Sequence, residues 1–304
     1  MFVNLMSGNS ELGFRELLQR SIVDGIRIET PVILKGQYRR AYDLLRDSID
    51  AGITPCLVGP PGVGKSLLAR KIAEDTGRGF YEVFFDENMT PSRLIGSFDP
   101  ALVVRLGRKV ESFEPGPLMR AMVEGGLFVA HELNRATEFC QNSLISPLEE
   151  RHYHQYPFGM IKASDDFAFV ATQNPIETSG TYRLSRVLVD RIGVWIRLGY
   201  PTRETEIEII RVNAPAFDLP EGVMNKIYDI INDTRENSDL EIPASPRAGI
   251  FLTRLVDRYR EKFDDEDDAI RFFAPSVLAK EMRVRSPGKT VGGIIDEILE
   301  RRLG

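Results

Sequence analysis

The stretch that decides the fold is Thr54-Pro55-Cys56-Leu57-Val58-Gly59-Pro60-Pro61-Gly62-Val63-Gly64-Lys65-Ser66-Leu67-Leu68. Thr54 to Val58 reads as a short buried strand, and Ser66 to Thr76 as a helix with Leu67, Leu68 and Ile72 on one face and Gly77 as its stop signal. Between them, Gly59 to Ser66 matches G-x-x-x-x-G-K-[ST]. Each residue type has a physical reason. The glycines let backbone N–H groups turn inward toward phosphate oxygens. The start of the following helix adds positive potential. Lys65 puts a charge near the β and γ phosphates, and Ser66 can ligate magnesium. The expected phosphate-binding set is therefore Gly59, Pro60, Pro61, Gly62, Val63, Gly64, Lys65, Ser66 and Leu67. A plain Gly/Pro turn before a helix is the rival reading, and the strand–loop–helix context disfavours it.

Outward from this loop, short β-rich runs alternate with amphipathic helical segments from Pro31 to about Tyr200. That is the pattern of a parallel sheet covered by helices. The strand candidates are Pro55 to Val58, Phe80 to Phe84, Leu127 to Ala130, Phe167 to Thr172 and Val194 to Leu198. After Pro201 the segments Arg203 to Asn213, Val223 to Glu236 and Ala248 to Phe263 read as helices, with no convincing strands. The expected architecture is an α/β P-loop core over residues 31–200 followed by a smaller all-α lid over 201–304. Residues 1–30 read as an N-terminal extension with one helical piece, Glu11 to Val23. The acidic run Asp264 to Asp268 reads as a solvated helix end or loop.

The bulk properties narrow the classes. The chain has 304 residues, long enough for a large core, and its net charge of -6 argues against a protein whose main task is gripping nucleic acid. The two cysteines, Cys56 and Cys140, form neither a disulfide framework nor a metal spacing, and Cys56 sits in an apolar run as a core residue. Reducing, cytoplasmic surroundings are expected. Met1 to Ser10 has no basic segment leading into an apolar one, and no apolar run reaches membrane-spanning length.

A phosphate loop of this kind needs an acidic cluster at the end of a neighbouring strand. Leu127 to Ala130 is such a strand and His131-Glu132 follows it, where the usual pair is Asp-Glu. Glu132 is assigned as general base. His131 is open between two readings: a neutral imidazole accepting a hydrogen bond from magnesium-bound water, or a strand-end polar residue without a metal role.

Further motifs follow in order: Leu127 to Ala136 (LFVAHELNRA), Gln141, Leu144, Leu148-Glu149-Glu150-Arg151, Val170 to Glu177 (VATQNPIE), Gly180-Thr181-Tyr182, Asp190-Arg191, Gly199-Tyr200-Pro201 and Ala244-Ser245-Pro246-Arg247-Ala248. Together they resemble the MoxR group of AAA+ ATPases, over about Val32 to Ala248. The resemblance implies roles. Asn174 takes the place of the sensor-1 residue that positions water against the γ-phosphate, Arg191 that of an arginine finger reaching a neighbouring subunit, and Arg247 that of sensor 2. Arg186 is a weaker candidate for the finger. The resemblance also implies ATP and Mg2+ as cofactors, a homo-hexameric ring, and a protein partner bearing a von Willebrand factor A domain. It implies two hairpin insertions: one within Leu94 to Leu118, with strands Ala101 to Leu106 and Lys109 to Phe113 around Gly107-Arg108, and one over Arg151 to Ala163.

Departures from the family pattern mark a divergent member. They are His131, Ser146-Pro147 in place of Glu-Ala, with Pro147 expected to kink its helix, and Ser185-Arg186-Val187 in place of Pro-Glu-Ala. His152 and His154 fall on one side of a strand and are read as hairpin surface residues rather than metal ligands. The leading expectation is an ATP-hydrolysing remodelling ATPase or chaperone. The alternatives are a nucleotide-gated scaffold with weak hydrolysis, motivated by His131, and a motor acting on nucleic acid, which the acidic balance opposes.

Overall fold

A computed structural model describes residues 31–156, 158–175, 182–214 and 219–304. The N-terminal segment with its helical piece at Glu11 to Val23, and the motif residues from Ile176 to Thr181, lie outside the described residues. The strands in chain order are β1 (Thr54–Val58), β2 (Phe80–Phe84), β3 (Gly96–Phe98), β4 (Phe113–Pro115), β5 (Leu127–His131), β6 (His152–Gln155), β7 (Gly159–Lys162), β8 (Ala168–Gln173), β9 (Ile192–Arg197), β10 (Leu240–Ile242) and β11 (Arg283–Val284). Chain contacts define two compact units. Among the described residues, one takes 40–59 and 65–198, and the other takes 31–39, 60–64 and 199–304.

The first unit is built on a five-stranded parallel sheet with order β2-β5-β8-β1-β9. All five strands expected from the apolar runs are present within two residues of their expected limits, and they form this one sheet. β5 is buried along its whole length, as suits a central strand of a sheet covered on both faces. Cys56, Phe128, Met119, Met122 and Phe169 sit in its core, the first four fully enclosed. Because the strands are parallel, their carboxyl ends share one edge. The loops after β1, β5 and β8 emerge there, in the position where open α/β sheets bind ligands.

The first insertion differs from expectation. Pro100–Leu106 is a helix, and the hairpin strands are β3 and β4, paired Ser97 to Glu114. The reason is local. Asp99 accepts from the N–H groups of Ala101 and Leu102, and Pro100 opens the helix, so an N-cap overrides the strand preference of Val103-Val104. The second insertion is a hairpin, β6–β7, with His152 opposite Lys162. Pro147 acts as expected: the helical run breaks into Glu138–Asn142 and Ile145–Glu149. Proline has no N–H for the carbonyl of Ser143, four residues earlier.

The second unit is mainly helical, with helices Arg203–Asn213, Glu221–Glu236, Pro246–Tyr259, Glu266–Leu278 and Val291–Leu303. Ile227, Ile231, Leu252, Ile270 and Ile294 are fully enclosed in its core. Asp265 caps the fourth of these helices, accepting from the N–H of Asp268 at 2.8 Å, which explains the acidic run. Contrary to the sequence reading, a two-stranded antiparallel piece, β10–β11, lies between these helices in sequence. At three and two residues, its strands are too short to show an alternating pattern. Among the described residues no helix is long and apolar enough to cross a membrane.

Candidate functional site

The site grows from the carboxyl end of β1. Gly59 is pinned there: its N–H donates to Gln173 at 3.3 Å, and a Cβ on it would lie 2.3 Å from the carbonyl oxygen of Leu198. Only glycine fits such a backbone approach. Gly62 and Gly64 have φ of +75° and +92°, the left-handed region that L side chains avoid. Within the second unit a Cβ on Gly62 would fall 2.6 Å from Ser245 Oγ and 3.5 Å from Arg247 Cβ. That places the start of the helix Pro246–Tyr259 beside this turn. Ser245 itself donates from Oγ to Glu281 at 2.6 Å, and Arg247 is exposed.

Lys65 opens the helix Lys65–Thr76 and is only 8% exposed. Its Nζ donates to the Gly59 carbonyl at 2.7 Å and to Asn174 Oδ1 at 2.8 Å. Two neutral oxygens thus aim the ammonium back across its own loop. Asn174 follows β8 directly, and its carbonyl accepts from Asn134 Nδ2 at 3.4 Å. Asn134 is buried and also accepts, through its carbonyl, from the Tyr182 N–H at 2.6 Å. Neither Asn134 nor Tyr182 was expected at the site on its chemistry.

At the end of β5 the chain turns sharply. Glu132 has φ 54° and ψ 43°, and with Arg151 it is one of two non-glycine residues at positive φ among the described residues. Such a conformation costs on the order of 1–2 kcal/mol, and sharp turns of this kind cluster at functional sites. The Glu132 N–H donates to Thr172 Oγ1 at 3.3 Å, and its carboxylate pairs with Arg135 at 2.9 Å.

His131 is 1% exposed and stacks on Phe84, with ring centroids 4.4 Å apart. Nε2 lies 3.0 Å from Glu82 Oε2 and Nδ1 lies 3.2 Å from Ser66 Oγ. A carboxylate only accepts, so in the neutral ring Nε2–H donates to Glu82, and Nδ1 accepts from the Ser66 hydroxyl. Glu82 also pairs with Arg70. The hydrogen bond from His131, aided by Arg70 and working against burial, holds the Glu82 carboxyl below its ordinary pKa. Glu82 is the residue the sequence reading missed. Its signal was a single charge in the middle of Phe80-Tyr81-Glu82-Val83-Phe84.

Lys65, Ser66, His131, Glu132 and Asn174 are thus gathered at one sheet edge. Arg191 is not in this cluster: its Nε donates to Glu149 at 3.1 Å and Nη1 to Asp190 at 3.1 Å. Arg186 is exposed at the start of the helix Arg186–Arg191. His152 pairs with Glu150 at 3.1 Å on the second hairpin.

The loop glycines, the tethered ammonium and the helix start fit a nucleotide phosphate. The donors for a divalent cation are a hydroxyl and an imidazole. No cluster of three or more His, Cys, Asp or Glu side chains with metal spacing occurs among the described residues, so a cation here would need the phosphates to complete its shell.

Comparison with known proteins agrees with this geometry. Residues 55–192 match the AAA domain of the dynein-related subfamily. The chain is 26% identical over 272 residues to the uncharacterized protein YeaC of Bacillus subtilis, covering 79% of this chain and 81% of that protein. It is 34% identical over 158 residues to the chaperone MoxR1 of Mycobacterium tuberculosis, a match that covers 51% of this chain and 38% of MoxR1. It is 27% identical over 262 residues to the gas vesicle ATPase GvpN of Haloferax mediterranei, covering 78% of this chain and 72% of GvpN. The AAA domain over residues 55–192 carries the phosphate loop and the strand-end residues, and the chain is similar to AAA+ ATPases of the MoxR and GvpN type.

Proposed function

We propose that Gly59–Ser66 binds ATP with Mg2+, and that hydrolysis drives a chaperone-like remodelling machine acting on a protein partner. The observation that carries this reading is the bond between Lys65 Nζ and Asn174 Oδ1 at 2.8 Å, made beside the sharp turn at Glu132. It joins the phosphate-binding lysine to the strand-end residue that orients water. In this reading the loop N–H groups and Lys65 orient the phosphates. Glu132 takes the proton of the attacking water, for which it must release Arg135. Asn174 holds that water in line. The cation, held by Ser66 with His131 beside it, neutralises charge developing on the phosphates.

Arg191 acts from a neighbouring subunit of a homo-hexameric ring, exchanging Glu149 for phosphate, and Arg247 links nucleotide state to the helical domain over residues 201–304. The nucleotide-binding domain spans 31–200. The partner class is a von Willebrand factor A domain protein, carried over from the family resemblance. The test is phosphate release by wild type and Glu132→Gln. A loss of roughly 100-fold or more with nucleotide affinity kept is expected, and equal rates overturn the assignment. Light scattering with a non-hydrolysable analogue tests the ring.

His131 favours one rival, a nucleotide-gated scaffold with weak turnover. Brisk wild-type hydrolysis that His131→Asp does not increase removes it.

A further inference from the structure

The least ordinary feature of the site is the line Ser66–His131–Glu82–Arg70. Its geometry has a chemical meaning that rests on the nucleotide-binding reading above and goes beyond it. A metal-binding histidine almost always gives its second ring N–H to a carboxylate or carbonyl, which fixes the tautomer and makes the other nitrogen a better donor. His131 has that arrangement. Nε2 faces Glu82 Oε2 at 3.0 Å, and Nδ1 faces the hydroxyl of Ser66 at 3.2 Å. The ring cannot rotate freely, because it is 1% exposed and stacked on Phe84 at 4.4 Å. Glu82 is in turn held by Arg70.

The spacing also fits. Two neighbouring ligands of one ion, each at about 2.1 Å and about 90° apart, are separated by about 3.0 Å. The Ser66–His131 separation of 3.2 Å is close to that value. A carboxylate at this position would favour the hard, oxygen-seeking Mg2+. An imidazole nitrogen is a softer donor and favours first-row transition ions over Mg2+, increasingly so from Mn2+ to Co2+. The negative charge has moved one bond network outward, to Glu82.

We propose that His131 Nδ1 is a direct ligand of the nucleotide-bound cation, oriented by Glu82, and that this site prefers a transition-metal nucleotide complex of the Mn2+ or Co2+ class over the Mg2+ complex. Ser66 and the phosphate oxygens supply the other ligands named by this arrangement. Glu82 is a positioning residue that never touches the ion.

The test reads the ion itself. The protein is labelled with 15N at histidine only, and pulsed EPR is recorded on Mn2+ with a non-hydrolysable ATP analogue. The chain has three histidines, His131, His152 and His154, so His131→Asp identifies the source of the signal. Strong 15N coupling in wild type that vanishes in His131→Asp is expected. In parallel, affinity for the fluorescent analogue is measured with Mn2+, Co2+ and Mg2+. Wild type should bind the Mn2+ and Co2+ complexes about 10-fold more tightly than the Mg2+ complex, and Glu82→Gln should lose about 10-fold of Mn2+ affinity. His131→Asp should bring the ions back toward parity. A bound Mn2+ complex with no histidine coupling overturns the proposal and leaves nucleotide binding intact. Failure of the analogue to bind with any ion overturns both.

Discussion

Glu82 and His131 lie on adjacent parallel strands, and the carboxylate reaches the imidazole diagonally. Phe84 is the residue directly opposite His131, and Glu82 is two positions earlier on the same face of β2. That register explains why one ring receives both the Phe84 stack and the Glu82 hydrogen bond. It also predicts energetic coupling. In a double-mutant cycle of Glu82→Ala and His131→Ala, chemical denaturation should give a coupling energy of ~1 kcal/mol or more. Additive losses would mean that the contact carries no energy of its own.

Lys65 and Asn174 should separate binding from turnover. Lys65→Ala removes the ammonium from the phosphates, and analogue affinity should fall by ~100-fold or more. Asn174→Ala leaves Lys65 its bond to the Gly59 carbonyl, so affinity should hold within ~3-fold while kcat falls by roughly 100-fold. Equal effects on affinity and kcat would show that Asn174 serves only to hold the lysine. Isothermal titration and phosphate release measure the two arms.

Much of this site is legible in the sequence. Gly59, Gly62, Gly64, Lys65 and Ser66 are constrained by local backbone chemistry, and β5 and β8 announce themselves as apolar runs ending in His131-Glu132 and Asn174. Pairing across the sheet was not legible. β2 and β5 are far apart in sequence, so nothing near Glu82 names His131 as its partner. The misread hairpin has the opposite cause. The expected strands were set around the Gly107-Arg108 turn, whereas Asp99-Pro100 is a local helix signal that makes Pro100–Leu106 helical and leaves the pairing to β3 and β4. β10 and β11 are held by long-range pairing of Leu240 with Val284 and are too short for a periodic pattern.

Gly62→Ala should be damaging on two counts. The residue has φ +75°, and its new Cβ would meet Ser245 Oγ at 2.6 Å. The conformational term alone is roughly 1–2 kcal/mol, and the clash adds strain. A drop of ~1–3 kcal/mol in stability, with weaker analogue binding, is expected. Gly36→Ala, at φ +52° with open space around its Cβ, controls for backbone strain alone and should leave affinity unchanged.

Arg235 and Glu206 form a bidentate pair at 2.6 and 2.7 Å in the second unit, with side chains 8% and 0% exposed. Arg235 also lies 4.2 Å over the ring of Tyr200. Removing one member leaves a buried charge without its main partner. Arg235→Ala should cost about 3–5 kcal/mol. The combined Arg235→Met and Glu206→Met variant should recover most of that loss, because it buries no charge at all. A double variant as unstable as the single one would mean that packing against Tyr200, not the ion pair, was lost.

Asp233 sets an acid limit on stability. Its side chain is 3% exposed and accepts from Arg302 at 2.6 and 2.5 Å and pairs with Arg301 at 2.7 Å. Burial alone would raise this carboxyl, but the two guanidinium groups more than reverse it, and the net pKa lies below the ordinary aspartate value. A depressed folded pKa means that the folded state binds the proton less readily than the unfolded chain does. The pair's contribution is therefore complete above the unfolded value, roughly pH 4, and is lost as pH falls through the folded value. Asp233→Asn should lower the denaturant midpoint at pH 7 and flatten its fall below about pH 4 relative to wild type. Arg302→Ala should do the same to a smaller degree, since Arg301 still reaches the carboxylate. An acid limb identical in wild type and Asp233→Asn would assign that loss of stability to other carboxylates.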